Sequence, residues 1–187
     1  MKKAQKIFIL IAVLLSPVLI FLFLKKFGDN RFDLPVYYAD GVPLSRCNAT
    51  DVPYKFTSTY LKNNMIKLPA LFFVPGNDAN DYYADVQNVL DKYPAINVYA
   101  IVSGEPAKEY KNIFPLSFTQ EAFLNFINCH LILGEDHWLS NPIPYKYVLI
   151  DKDAIIRGYF NCTEFKEIER LDTELDILLN NMNKKGS

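Results

Sequence analysis

Three hydrophobic patterns succeed one another along the chain. The first is the unbroken apolar run Ile7–Leu24 (IFILIAVLLSPVLIFLFL), preceded by Lys2, Lys3 and Lys6 and closed by Lys25-Lys26. Its length of about 18 residues is near the ~20 that cross a bilayer core. A cleaved signal peptide has a shorter apolar region and a small-residue cleavage site. Here Phe21–Leu24 lead straight into Lys25, with no A-x-A pattern and no lipobox Cys. The run therefore predicts an uncleaved transmembrane anchor over 1–27, with Pro17 as a kink that a membrane helix tolerates. The amino terminus with Lys2, Lys3 and Lys6, set against Lys25, Lys26 and Arg31, slightly favours a cytoplasmic tail. In a bacterium the domain then faces the periplasm from a single pass in the inner (cytoplasmic) membrane.

The second pattern is the short, fully apolar run of a strand covered on both faces. Ala70–Val74 (ALFFV), between Pro69 and Pro75-Gly76, is predicted as the central strand, and Ile96–Val102 (INVYAIV) as its neighbour. Ile113–Leu116 is a weaker third strand because it contains Pro115, and Cys129–Leu133 (CHLIL) reads as a fourth. Tyr145–Ile150 and Ala154–Phe160, joined at Asp151–Asp153, read as a hairpin. The alternating Tyr54–Thr59 suggests a short edge strand, with Leu61–Met65 as a loop.

The third pattern is helical. Tyr82, Val86, Val89, Leu90 and Tyr93 share one helix face, with Asp78 or Asn80 as N-cap and Pro94 beyond the end. Ser117-x-x-Gln120 resembles a capping box opening a helix to about Asn128, with Phe123, Phe126 and Ile127 inward. A last helix, capped by Thr163, turns Phe165, Ile168, Leu171, Leu175 and Leu178 to the core, and a frayed tail follows from Asn180. The boundaries are an anchor over 1–27, a linker and irregular lead-in over 28–53 (with an extended Val36–Tyr38 and a turn at Asp40-Gly41), an α/β domain over 54–181 and a flexible tail over 182–187.

Composition narrows the function. A net charge of −1 with mixed signs and no basic face sets nucleic-acid binding aside. The 14 Phe and 12 Tyr fill a core and its rim. The 3 Cys (Cys47, Cys129, Cys162) contain neither CxxC nor CxxxC, a poor disulfide framework and a poor zinc site.

Strand, helix, strand, intervening helix, X-Pro, hairpin and terminal helix is the order of a thioredoxin fold: a central mixed sheet flanked by helices. Ile143-Pro144, just before the hairpin, occupies the place of that fold's cis-proline, so Pro144 is expected to be cis. The hairpin Tyr147–Phe160 (YVLIDKDAIIRGYF) with the Thr163-led helix resembles the closing hairpin of the Sco/SenC family, as do the anchor followed by FDLPVYY and the Phe72-Phe73-Val74 strand. That family consists of membrane-anchored, thioredoxin-like copper chaperones for cytochrome oxidase assembly. The resemblance implies a CxxxC after the central strand and a His before the hairpin as copper ligands. Those cysteine positions fall at Asn77 and Asp81, and the histidine position falls near Ile143, six residues from His137. Oxygen donors suit Cu(I) poorly, so no copper ligand of the family carries over.

The other candidates are weaker. Cys129, His130 and His137 form the one Cys/His cluster, a relocated metal or thiol site in the sharpest reading and a buried Cys with loop-side histidines in the plainer one. On a strand, Cys129 and His130 point to opposite faces. Cys47 and Cys162 are a candidate disulfide pair if the domain is periplasmic, against a free Cys acting as a small hydrophobe. Asn77, Asp78, Asn80 and Asp81 lack the Glu and Gly of an EF-hand loop and read as capping residues. Asn48-Ala-Thr50 and Asn161-Cys-Thr163 are sequon-like by chance.

The expectation is a non-catalytic assembly or interaction factor related to respiratory-oxidase biogenesis. It has no cofactor and no enzymatic activity, because the redox CxxxC is missing. Its partners are the membrane, through the N-terminal helix, and a membrane or periplasmic protein. The alternatives are a thiol- or copper-handling protein using relocated cysteines, and a small-ligand or peptide module between the Asn77 loop and Pro144.

Overall fold

The structure, a computed structural model, describes residues 3–27, 33–42, 51–57, 59–63, 65–75, 83–105, 112–133, 146–161 and 164–185. The chain divides into two units, Met1–Asp33 and Leu34–Ser187. The first is built on helix α1 (Lys3–Phe27), 25 residues with Pro17 inside. Its described side chains are Gln5, Lys6 and 12–23, and the large apolar ones from Val13 to Phe23 are exposed. Among the described residues no helix is long and apolar enough to cross a membrane.

The second unit is organised by a sheet in the order β3-β2-β1-β4-β5. The strands are β1 (Ala70–Val74), β2 (Asn97–Ser103), β3 (Phe114–Phe118), β4 (Lys146–Ile150) and β5 (Ile156–Asn161). β1 pairs parallel with β2 and antiparallel with β4, β3 adds to β2 in parallel, and β4 and β5 form the expected antiparallel hairpin. A central strand with a parallel neighbour on one side and an antiparallel hairpin on the other is a thioredoxin-like arrangement. Pro115 lies in β3 opposite Ala100. A sheet edge tolerates proline, because no outer strand needs its missing N–H.

Alternation along the strands sorts the core into two faces. Leu71, Phe73, Val98, Ala100, Tyr147 and Leu149 face one side, under α3 (Tyr83–Leu90) and α5 (Phe165–Lys185). Ala70, Phe72, Val74, Tyr99, Ile101, Val148 and Ile150 face the other. There they meet Tyr54, Phe56, Ile66, α4 (Gln120–Asn125) and the π-helical turn Phe126–His130 that continues it. Burial on both faces explains why β1 reads as an unbroken apolar run.

Several expectations are corrected. Tyr54–Thr57 is not a strand. It is held by single bonds from Tyr54 N to Tyr38 O and from Phe56 N to Ala154 O, and Thr59–Lys62 is a short helix, α2. Val36–Tyr38 does not stay extended: the chain turns from Tyr37, and Tyr38 has φ 56°. Cys129–Leu133 is not a strand, because Leu131 N bonds to Phe126 O and continues the helix with a π turn. The N-cap of α4 is Thr119, whose hydroxyl accepts from Ala122 N, while Ser117 remains in β3. Ile168, Leu171, Leu175 and Leu178 are buried as expected, but Phe165 is 71% exposed. α5 continues through Lys185, so the tail expected to fray from Asn180 is helical. The described cis peptide bonds are Val52–Pro53 and Leu68–Pro69. Ile143–Pro144 and Thr163 lie outside the described residues.

Polar contacts fasten the sheet. The Asp151 carboxylate, 3% exposed, accepts from Asp153 N, Ile155 N and Arg157 Nε, and Arg157 Nη1 donates to Leu34 O. Arg170 of α5 lies 4.5 Å over the Phe160 ring, pairs with Glu167 and Glu174, and donates to Tyr159 O. Gly158 makes room for this stack: a Cβ there would sit 2.4 Å from Phe160 Cζ and 2.9 Å from Glu174 Oε2. Glu174 has its pKa raised, first by burial, with Arg170 opposing and Glu167 reinforcing.

Asp151→Ala leaves Arg157 unpaired in a half-dry site and frees two backbone donors. It should cost about 3 kcal/mol, whereas Phe165→Ala should stay within about 0.5 kcal/mol. Urea denaturation followed by circular dichroism checks both, and equal midpoints for the two variants would contradict this account.

Candidate functional site

Two places hold the residues singled out from the sequence. The first is the sheet end where β1 finishes. Val74 pairs with Lys146 there, and Lys146 pairs with Asn161. On the other side Ser103 pairs with Phe118, and the Ser103 hydroxyl donates to Gln120 Oε1 at 2.6 Å. In α/β sheets, ligands and chemistry gather beyond the carboxyl ends of the parallel strands. The residues that follow β1 include Asn77 and Asp81, which lie outside the described residues, as do His137 and Pro144. What the structure supplies is the approach: a rigid, dry strand that delivers the chain to this loop.

The second place is the π turn that carries Cys129 and His130. As helical neighbours, i and i+1, they do not converge on one point. The π turn leaves carbonyls without helical partners, and tyrosines from distant segments answer them. Tyr54 Oη donates to Cys129 O at 3.1 Å and His130 O at 3.0 Å, Tyr159 Oη to Leu131 O at 2.9 Å, and Tyr38 Oη to Ile132 O at 3.3 Å. The rings stack edge-on, Tyr37 on Tyr159 at 5.0 Å and Tyr38 on Tyr54 at 6.3 Å. Burial, with neighbouring acidic and phenolic groups, pushes the Tyr54 and Tyr159 phenols well above their usual range, so both stay protonated donors.

His130 packs its ring 5.4 Å from Phe126 and 6.3 Å from Phe56. Burial lowers its pKa, and a hydrogen bond to the Thr57 backbone opposes the shift. This is a neutral histidine in an aromatic wall. Among the described residues no group of His, Cys, Asp and Glu is arranged to hold a metal ion.

Cys129 is disulfide-bonded. With 3 cysteines in the chain, its partner is Cys47 or Cys162, and a Cys47–Cys162 bridge within the chain is ruled out. The oxidised sulfur also offers no thiolate to a metal, which removes Cys129 as a ligand in this state. Sequence reasoning missed the bridge because it depends on tertiary packing, and no local spacing records that.

No protein-family model and no curated protein sequence matches the chain. Among solved structures the chain is similar to a thiol peroxidase from Chromobacterium violaceum, at 13% identity and a TM-score of 0.46, over 67% of this chain and 78% of that one.

Protonating His130 is disfavoured in the fold. The unfolded chain therefore binds more protons, and stability declines as pH falls below the ordinary value of 6.5. Thermal melts from pH 7.5 to 5 should show this decline in the native protein and a smaller one in His130→Gln. An identical slope in both would contradict it. Tyr159→Phe orphans the Leu131 carbonyl and should cost about 1–2 kcal/mol, read as a lowered denaturant midpoint.

Proposed function

We propose that the protein is a membrane-anchored, thioredoxin-fold member of the Sco/SenC type that has lost its metal site and works through protein contacts. α1 is its single-pass anchor in the cytoplasmic membrane, and the second unit lies on the extracytoplasmic side. There it serves as a non-catalytic assembly or interaction factor connected with respiratory-oxidase biogenesis.

The observation that carries this reading is the pairing of a thioredoxin-like sheet with a chain that leaves β1 carrying Asn77 and Asp81 where thiolates would be needed. Amide and carboxylate oxygens are hard donors and cannot replace thiolate toward Cu(I) or in disulfide exchange. The disulfide at Cys129 supports the location, because disulfides persist in oxidising compartments such as the periplasm and are rare in the cytosol. The apolar run Ile7–Leu24 supports the anchor, and its all-round apolar character suits a lipid environment. The hairpin motif through Asp151, Arg157 and Gly158 supports the family: Asp151 and Arg157 clamp the turn, and Gly158 makes room for the Phe160–Arg170 stack.

The test uses the full chain in detergent. Titrated with Cu(I) against a competing chelator, it should bind no more than background. One equivalent held tightly, and lost in Cys162→Ser or His137→Ala, would make the protein a metal carrier with a rebuilt site. In cells, the chain should resist alkaline carbonate extraction, and protease added outside spheroplasts should digest its domain. Release by carbonate, or protection from the protease, would remove the anchor or its orientation.

A further inference from the structure

Beyond this reading, we infer that Cys129 is bridged to Cys47 and that Cys162 keeps its thiol. The described residues flanking each cysteine separate the two pairings.

Cys47 lies between Val42 and Asp51, and the stems of that loop are fastened together. Tyr54 N bonds to Tyr38 O, and Gly41 lies against Val52 and Asp51. The same stems hold the π turn. Tyr54 Oη donates to the Cys129 and His130 carbonyls, and Tyr38 Oη donates to that of Ile132. His130 bonds the Thr57 backbone. The described residues on either side of Cys47 thus belong to the segment that grips Cys129, and the few residues between Cys47 and either stem span at most roughly 17 Å when extended.

Cys162 belongs to another part of the unit. It follows Asn161, the last residue of β5, and precedes Glu164, whose N–H donates to Asn161 O at 3.2 Å. That short turn feeds α5, which packs on the sheet face opposite the π turn. Asn161 also marks the sheet end where β1 finishes, through Lys146 and Val74. α4 starts from that same end, just after Phe118, and the helix then runs for roughly 14 Å before it reaches Cys129. The segments around Cys129 are instead tied to the beginning of β5, through Tyr37 N to Ile156 O and Phe56 N to Ala154 O. Tyr159 Oη does reach Leu131 O, but with the full length of a tyrosine side chain. A disulfide requires Cα atoms within about 7 Å, which is too short to join the exit of β5 to the far end of the helix.

Closing the bridge joins the Cys47 and Cys129 sulfurs and removes two protons and two electrons. A disulfide oxidant of the compartment accepts them by thiol–disulfide exchange and is reduced to its dithiol.

Trypsin separates the cysteines into peptides 47–55, 112–146 and 158–166. The full chain, alkylated under denaturing conditions without reductant and then digested, should yield 47–55 linked to 112–146, with 158–166 carrying the alkyl group. A 112–146/158–166 pair would overturn the pairing and leave the oxidising location intact. Three alkylated peptides would overturn the bridge and weaken the proposed location as well. As a second reading, the mobility shift between reduced and non-reduced chain should persist in Cys162→Ser and vanish in Cys47→Ser. The reverse pattern would overturn the inference without requiring either variant to be native.

Discussion

The Asp151 carboxylate is the constraint on which the closing half of the sheet depends. Buried at the hairpin turn, it takes the backbone N–H groups of Asp153 and Ile155 and the side chain of Arg157. A carboxylate at that depth is tolerable only when donors surround it. Two of those donors are N–H groups of the turn it organises and the third, Arg157, lies in the strand that leaves it, so the turn and the charge require each other. Arg157 then reaches Leu34 O and brings the lead-in segment against β5. Tyr37 N completes the attachment at Ile156 O, the first residue of β5. Without that clip the tyrosines that satisfy the π turn would have no fixed place from which to reach it.

The elements legible in the sequence are those whose pattern is fixed by their own neighbours. β1 occupies the run Ala70–Val74 because burial on both faces forbids a polar residue anywhere in it. The hairpin was legible because Asp151–Asp153 carries its own turn chemistry. Cys129–Leu133 was not, because a short apolar run fits a buried strand and a buried helical turn equally well. The spacing Ile127 to Leu131 was the available signal for helix. It was masked by Phe126, which also packs inward and pairs with Leu131 N across a π turn. Phe165 failed for a different reason: it continues the stripe of α5 by periodicity, but it sits in the first turn, where nothing covers it.

Of the candidate site, the sequence makes the identities of Asn77 and Asp81 legible, while their arrangement lies outside the described residues. The state of Cys129 is a matter of tertiary packing. Its bridge closes only once the segments that carry the two cysteines are placed, and the described contacts of the lead-in are isolated ones such as Tyr54 N to Tyr38 O and Phe56 N to Ala154 O. Such contacts have no periodicity, so no sequence pattern could have announced them.

The same segment bears on how the thioredoxin-like unit is held together away from the sheet end where β1 finishes. A catalytic loop constrains that end of the sheet through the geometry its reaction needs. Here the dense polar organisation lies elsewhere: tyrosine hydroxyls on the π-turn carbonyls, a neutral histidine among Phe56 and Phe126, and a disulfide at Cys129. Tyr54, Tyr38 and His130 join the lead-in to the helix beneath it and Tyr159 joins β5 to it, so hydrogen bonding and apolar burial act there alongside the covalent bond at Cys129. Fastening the lead-in through Tyr54, Tyr38 and His130 ties that face of the sheet together by contacts in which none of the residues following β1 takes part.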